Sequence, residues 1–582
     1  FSDTSALLGN DLVTFPDYPS EIRAPQGTVG GVSGYQVHLG SNAVNTPGDY
    51  ADVLVAMNPA ALHANAKWVK KGGTIIVNVD SFDDKSLKKA GYSENPLKSD
   101  LFADFNIIEA PITSFTRDTV ADLAADPKSV ARSKNMFALG IVYWLYNRPL
   151  NFTEAFFEKK FKKAPIVVEI NKRVLKAGFN YANTIEALPR SFVIAKANIS
   201  SGTYRNISGN VATAWGLLAA AERANLKLFC GSYPITPATE ILQELSKRKD
   251  LGAKTFQAED EIAGICTAIG AAFTGSFAVT TTSGPGLALK AEAIGLAVMT
   301  ELPLVVVNVQ RGGPSTGLPT KTEQSDLLQA LYGRNGESPV VVVASSTPSD
   351  CFDFAFEAGR IALEHMTPVI LLTDGFLANG SEPWRIPQMS NYPAIKVPFA
   401  PQGVDYKPYA RKAETLVRNW AIPGTPGHEH RIGGLEKDSL TGGVSHNPEN
   451  HEIMVHTRRE KVARVANDIP LQTIIGDQDA ELLVVGWGGT YGHLLTTVRD
   501  MRKEGVKIAL THFNYISPMP QNTAQIFRGF KKIVVCELNL GQFASYLRSN
   551  FEDIKFLQYN KVQGLPFTSL ELKDHFNSLL NQ

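Results

Sequence analysis

The chain has 582 residues, 44% of them hydrophobic, and its 57 Lys and Arg balance 57 Asp and Glu. A prior of about 100 to 200 residues per domain allows roughly three to five units, and zero net charge provides no field to draw the chain to nucleic acid or a membrane surface. The longest apolar runs, LVVVNV and VVVVASS, fall far short of the roughly 18 residues of a bilayer span, so neither a nucleic-acid partner nor a membrane is expected.

In chain order, FSDTSALLGNDLVTFPDYPSE reads as the second half of a helix followed by a strand. No initiator Met stands at Phe1, so a missing beginning is expected, and no basic and apolar leader marks secretion. From Asp11 to about Val168 strand-like and helix-like segments alternate. DLVTFPDY, GYQVHLG, DVLVAMN and GTIIVNV, the last after a turn at Gly72 and Gly73, predict an α/β domain over 1–180. Residues 181–206 read as a polar connector. A second unit over 207–391 carries the Val-rich strands LKLFC, FAVTTT, LPLVVVNV, PVVVVAS and PVILLTD, joined by helices, which predicts a doubly wound parallel sheet. Residues 392–475 form an insertion or arm of Pro, Gly and His-containing sequence. Composition permits disorder in part of it, although HEIMVHTRREKVARVAND predicts a helix. A last α/β domain over 476–582 contains ELLVVGWG, KIALTHF and KIVVCEL. The four cysteines, Cys230, Cys266, Cys351 and Cys536, are too scattered for a ligand motif and suit a reducing compartment. A cytoplasmic protein without its own iron–sulfur site is expected.

Three places carry candidate chemistry. Glu261 opens FQAEDEIAGICTAIGAAFTGSFAVTTTSGPG, and Ala268, Gly270 and Ala272 follow it at intervals that predict a helix able to lie close to neighbouring backbone. A carboxylate in a first helical turn is favoured by the helix dipole without any function. Thr236, in LKLFCGSYPITPATEILQEL, is placed to cap a helix starting at Pro237. Its position at the carboxyl end of a parallel strand also suits a substrate carboxylate. Arg311 ends LPLVVVNVQ and begins RGGPSTGLPTK, at the rim where open α/β sheets bind ligands, though a structural ion pair is equally open to it.

The Glu261 string resembles the pyrimidine-binding domain of thiamine diphosphate enzymes, in which the matching Glu shares a proton with the aminopyrimidine. Together with YPITPATE and NVQRGGPSTGLPTKTEQSDLLQALYG it resembles the alpha subunit of 2-oxoacid:ferredoxin oxidoreductases. The resemblance implies that Glu261, Pro234 and Ile235 meet the cofactor, that Arg311 and Thr236 hold the carboxylate of a 2-oxoacid, and that Thr320 lies near it. Lys321 receives no role. The Gly-rich segment YPSEIRAPQGTVGGVSGYQVHLGS resembles the gamma component of these enzymes, which is associated with coenzyme A and here fused ahead of the alpha component. GWGGTYGHLLTTVRDMRKEG and VVCELNLGQFASYLRS resemble a transketolase C-terminal-like domain, where Glu537 and Gln542 are expected to serve packing or subunit contact.

Mg²⁺ on a diphosphate needs hard oxygen ligands from a Gly-Asp-Gly motif, and the sequence contains none. The resemblance therefore implies a beta subunit that supplies Mg²⁺ binding and a [4Fe–4S] cluster, ferredoxin as electron acceptor, and a heterodimer assembled into a dimer of heterodimers. The arm GLEKDSLTGGVSHNPENHEIM is similar to that of members acting on 2-oxoglutarate. The expected reaction is coenzyme A-dependent oxidative decarboxylation of 2-oxoglutarate. Pyruvate or a branched-chain 2-oxoacid, and a non-catalytic assembly role, stay as alternatives.

Overall fold

The computed structural model describes residues 1–19, 32–187 and 191–581, which fold as two compact units, Phe1–Gly202 and Thr203–Gln582. The Gly-rich turn expected after Pro19 lies outside the described residues. In the first unit β1 (Asp11–Asp17) pairs antiparallel with β2 (Gly34–Gly40), Asp11 opposite Gly40 and Asp17 opposite Gly34. A separate parallel sheet joins β3 (Ala51–Ala56), β4 (Val69–Asn78) and β5 (Asn106–Ala110) in that order. Gly72 and Gly73 do not turn the chain, as expected from sequence, but lie inside β4. Gly72 has φ 76° and the register against β3 shifts between Ala51 and Val53, so the glycine pair forms a bulge. The helices Pro127–Leu145 and Pro165–Thr184 pack on this sheet's apolar face. They meet at two glycines, because a Cβ on Gly178 would stand 2.0 Å from the Phe137 carbonyl oxygen.

The second unit contains β6 (Tyr204–Ser208), β7 (Leu228–Ser232), β8 (Lys254–Gln257), β9 (Phe277–Thr282), β10 (Leu304–Gln310), β11 (Val341–Ala344), β12 (Pro368–Asp374), β13 (Ser381–Arg385), β14 (Leu482–Trp487), β15 (Ile508–Phe513), β16 (Tyr515–Ser517), β17 (Lys532–Glu537) and β18 (Leu557–Asn560). Its main sheet has the order β16-β11-β12-β10-β9-β7-β8, parallel except for β16. Every residue of β9, β10, β11 and β12 is buried, which is why those strands read as unbroken Val-rich runs rather than alternating ones. From β7 the chain steps outward to β8 and then returns to β9 on the other side. That reversal places a crevice at the carboxyl ends of β7 and β9.

A four-stranded parallel sheet, β15-β14-β17-β18, follows. It shares one apolar core with the larger sheet, since Ile265, Ala268 and Val306 belong to the same buried cluster as Trp487, Phe513 and Phe543. The chain from Tyr392 to Asn447 is almost free of helix and strand, yet buried charges hold it in place. Arg418, 1% exposed, donates Nη2 to the carbonyls of Thr300 and Glu301, both at 3.1 Å. The Glu301 carboxylate accepts Lys461 Nζ at 2.7 Å and a bond from Arg411. Burial alone would raise Glu301, but Lys461 and Arg411 outweigh it and hold the group down at about 2. The helix expected after Asn447 is present as Pro448–Arg464. No helix among the described residues is long and apolar enough to cross a membrane.

Candidate active site

Because β7, β8, β9 and β10 run parallel, the segments leaving their carboxyl ends gather on one edge of the sheet. The Tyr233–Ala238 turn follows β7, Glu261 follows β8, the first turn of the helix Gly284–Leu289 follows β9 and Arg311 follows β10. Ser232 ties the first of these to the third, accepting Thr281 N–H on Oγ at 2.7 Å. Glu261 is the first residue of the helix Glu261–Phe273. Asp260 caps that helix, accepting Ala263 N–H at 2.7 Å. Its neighbour, the acid, is only 8% exposed.

Close backbone approach holds the carboxyl group in place. A Cβ on Gly286 would lie 2.0 Å from Thr282 Oγ1, 2.7 Å from Glu261 Cγ and 3.2 Å from Glu261 Oε1. A Cβ on Gly264 would lie 3.2 Å from Ser232 Cα, so the helix is seated on the end of β7. The small residue doing this is Gly264 and not Gly270, which the sequence pattern had singled out. Gly270 is exposed with open space where a Cβ would stand. Nine residues span about two and a half helical turns, so Gly270 falls on the face opposite Glu261. Ala268 and Ala272 are fully buried.

Arg311, 6% exposed, donates Nη1 to the Thr236 carbonyl at 2.6 Å, while its Nε is buried without a partner. The buried Asp326 acts on it through its charge. Thr236 does not cap a helix at Pro237. The helix begins at Thr239 with Ala238 at its N-cap, because the Ile235 carbonyl takes both the backbone N–H (3.1 Å) and the Oγ1 (3.0 Å) of Thr239, turning the chain through 236–238 first. Thr236 is exposed, with half-buried Pro234 and Ile235 leading to it from β7. The loop after Arg311 folds back on itself. Gly312 N–H donates to the Lys321 carbonyl at 3.0 Å and Leu318 N–H to the Gly312 carbonyl at 2.8 Å, which returns half-buried Thr320 toward Arg311. A cavity of about 400 Å³ lined by Arg459, Met519, Tyr546 and Phe551 includes none of these residues.

A family model described as "Pyruvate flavodoxin/ferredoxin oxidoreductase, thiamine diP-bdg" matches residues 219–445, and one described as "Pyruvate ferredoxin/flavodoxin oxidoreductase" matches residues 1–181. The 2-oxoglutarate oxidoreductase subunit KorA of Mycobacterium tuberculosis is 51% identical over 573 residues, covering 98% of this chain and 87% of that protein. The chain belongs to the 2-oxoacid:ferredoxin oxidoreductase family. The alpha subunit of 2-oxoacid:ferredoxin oxidoreductase 1 from Aeropyrum pernix is 29% identical, covering 92% of this chain and 88% of its own. The solved 2-oxoglutarate:ferredoxin oxidoreductase from Magnetococcus marinus, with 2-oxoglutarate, coenzyme A and succinyl-CoA bound, superposes with a TM-score of 0.86 at 30% identity, covering 99% of this chain and 95% of that one.

In this 2-oxoacid:ferredoxin oxidoreductase subunit, the last sheet supports the Arg311 loop. Gln324 accepts Leu538 N–H at 2.8 Å and donates to the Trp487 carbonyl at 2.7 Å. Glu537, fully buried, accepts the backbone N–H groups of Phe543 (2.7 Å) and Ala544 (3.0 Å), and Gln542 bonds Leu328 and Ser325. Both residues therefore do structural work. The sequence reading passed over Lys290, whose Nζ reaches the Glu261 carbonyl at 2.7 Å. The available signal was its isolation, since no other Lys or Arg occurs between Lys254 and Arg311.

Proposed function

We propose that this chain is the fused gamma–alpha subunit of an enzyme that oxidatively decarboxylates 2-oxoglutarate in the presence of coenzyme A, forming succinyl-CoA and CO₂ and passing the electron pair to ferredoxin in single steps. The observation that carries the proposal is the carboxyl group of Glu261, buried at the carboxyl edge of a parallel sheet and packed so closely against Gly286 that no Cβ fits between them. The choice of 2-oxoglutarate is supported by the names of the Mycobacterium tuberculosis and Magnetococcus marinus proteins.

The residues fit a flat heterocycle and an anion. Gly286 keeps the approach to Glu261 free of a Cβ, and Arg311 keeps a buried donor unpaired. When bound, thiamine diphosphate supplies the carbon nucleophile that adds to the keto group and takes up the electron pair left as CO₂ departs. Glu261 holds a proton against the cofactor's ring nitrogen, and Pro234 and Ile235 lie along the same edge. Arg311 and Thr236 orient the 2-oxoacid carboxylate, for which a guanidinium's planar fork is suited, with Thr320 beside them. Ile262, Leu289 and Tyr233 leave apolar surface exposed on the residues flanking the acid, which favours a second chain there. In this reading a beta subunit supplies the Mg²⁺ site and a [4Fe–4S] cluster, and the heterodimer pairs into a dimer of heterodimers in the cytoplasm.

The test is the complex reconstituted with its beta subunit, assayed by viologen reduction. 2-Oxoglutarate should turn over faster than pyruvate or 2-oxoisovalerate, and Glu261→Gln should lower the rate by about 10²- to 10⁴-fold with assembly intact. Undiminished turnover by that variant would reject the role of the acid. The family descriptions name pyruvate, which supports the same chemistry on pyruvate as a second reading. A faster rate with pyruvate would select it.

A further inference from the structure

The helix Gly284–Leu289 passes into the helix Ala291–Thr300 at Lys290, a fully buried residue. Its Nζ donates to the Glu261 backbone carbonyl at 2.7 Å, and the carboxylates acting on it are those of Glu261 and Asp260. Burial is the largest influence and brings the ammonium down to about 8, with Glu261 opposing. A buried cation is expensive to desolvate, and an apolar side chain of similar volume commonly fills such a place at no loss of stability. Packing alone therefore gives no reason for a lysine here. What the charge does achieve is a strong bond to the carbonyl of the first residue in the Glu261 helix, opposite the Asp260 cap on the Ala263 N–H.

We propose that Lys290 is a positioning residue for Glu261: by holding the Glu261 carbonyl it fixes the first helical turn, and with it the direction in which the carboxyl group projects beneath Gly286. The inference rests on the reading of Glu261 as the acid. A carboxyl group displaced by about 1 Å can lose about 10²-fold in rate, so a single anchoring bond matters more to turnover than to stability.

The experiment uses the reconstituted complex carrying Lys290→Met, with Lys290→Gln as a second neutral variant and Lys290→Arg as the conservative one. Three quantities are read: hydrogen–deuterium exchange of the amides of residues 261–266 in the cofactor-free complex, kcat and KM for 2-oxoglutarate, and the melting temperature. The neutral variants should exchange about tenfold faster in that turn, because the turn's local opening is no longer opposed by the bond. Their kcat should fall about 10- to 100-fold with KM nearly unchanged, the melting temperature should hold or rise in Lys290→Met, and Lys290→Arg should recover part of kcat. Wild-type exchange and wild-type kcat in both neutral variants would overturn the proposal. If Glu261→Gln is inactive in the same preparation, that result removes only Lys290. If Glu261→Gln stays active, the acid's role falls, while the exchange data alone still decide whether Lys290 holds the turn.

Discussion

Two residues show how narrow the tolerance around the acid is. Gly286 has no room for a methyl group, since a Cβ there would meet Thr282 Oγ1 at 2.0 Å and Glu261 Cγ at 2.7 Å. Gly286→Ala must move one or both side chains, and we expect kcat to fall by about tenfold or more with the complex still assembled; wild-type turnover would show that the contact is slack. Arg311 offers a planar fork anchored at one end on the Thr236 carbonyl at 2.6 Å. Arg311→Lys keeps the charge and loses the fork, so kcat/KM should fall by about 10- to 100-fold. The loss should be equal for 2-oxoglutarate and pyruvate in a rate comparison, because the carboxylate next to the keto group is common to both. Motif residues such as Thr236, Glu261 and Arg311 were visible in the sequence because each sits where a strand ends. The contacts that Gly286 and Lys290 make with Glu261 were not, because they join segments more than twenty residues apart that only the parallel sheet brings together.

At the level of elements, close approach of backbones recurs. The helices Pro127–Leu145 and Pro165–Thr184 meet at Gly140 and Gly178, where added Cβ atoms would stand 2.2 Å from the Leu175 oxygen and 2.0 Å from the Phe137 oxygen. Gly178→Ala should therefore cost about 1–3 kcal/mol through overpacking, read as a lower denaturant midpoint for the first unit. An unchanged midpoint would mean that the helices separate without penalty. Element positions followed from local pattern in most places, as with the Val-rich strands and the helix Pro448–Arg464. They failed where one long-range bond outweighed a local preference. Gly72 and Gly73 look like a turn, yet Gly72 N–H bonds the Asp104 carbonyl at 2.8 Å and the strand continues through them as a bulge.

Over the whole chain, the region from Tyr392 to Asn447 has little regular structure and depends on buried charge for its order. Glu301 is 1% exposed, and its carboxylate serves both Lys461 and Arg411. Its folded value of about 2 lies below its ordinary 4.5, so the stability it contributes is complete above that ordinary value and is lost as pH falls toward about 2. Glu301→Gln should flatten this part of the acid-unfolding curve. At neutral pH it should cost about 3–5 kcal/mol, because two buried cations lose their carboxylate. Chemical unfolding followed from pH 7 to pH 2.5 checks both; parallel curves for wild type and variant would rule out this anchor.

The alternation of Val-rich strands with helices, and the acid, threonine and arginine at strand ends, were set by local sequence, because hydrophobic period and turn chemistry act over a few residues. Which small residue seats the Glu261 helix, which cation holds its first turn, and how an arm of Pro, Gly and His-containing sequence keeps its place were decided by the tertiary structure. Those outcomes depend on contacts between distant segments, and the energy of such a contact exists only once the parallel sheet has brought its two sides together.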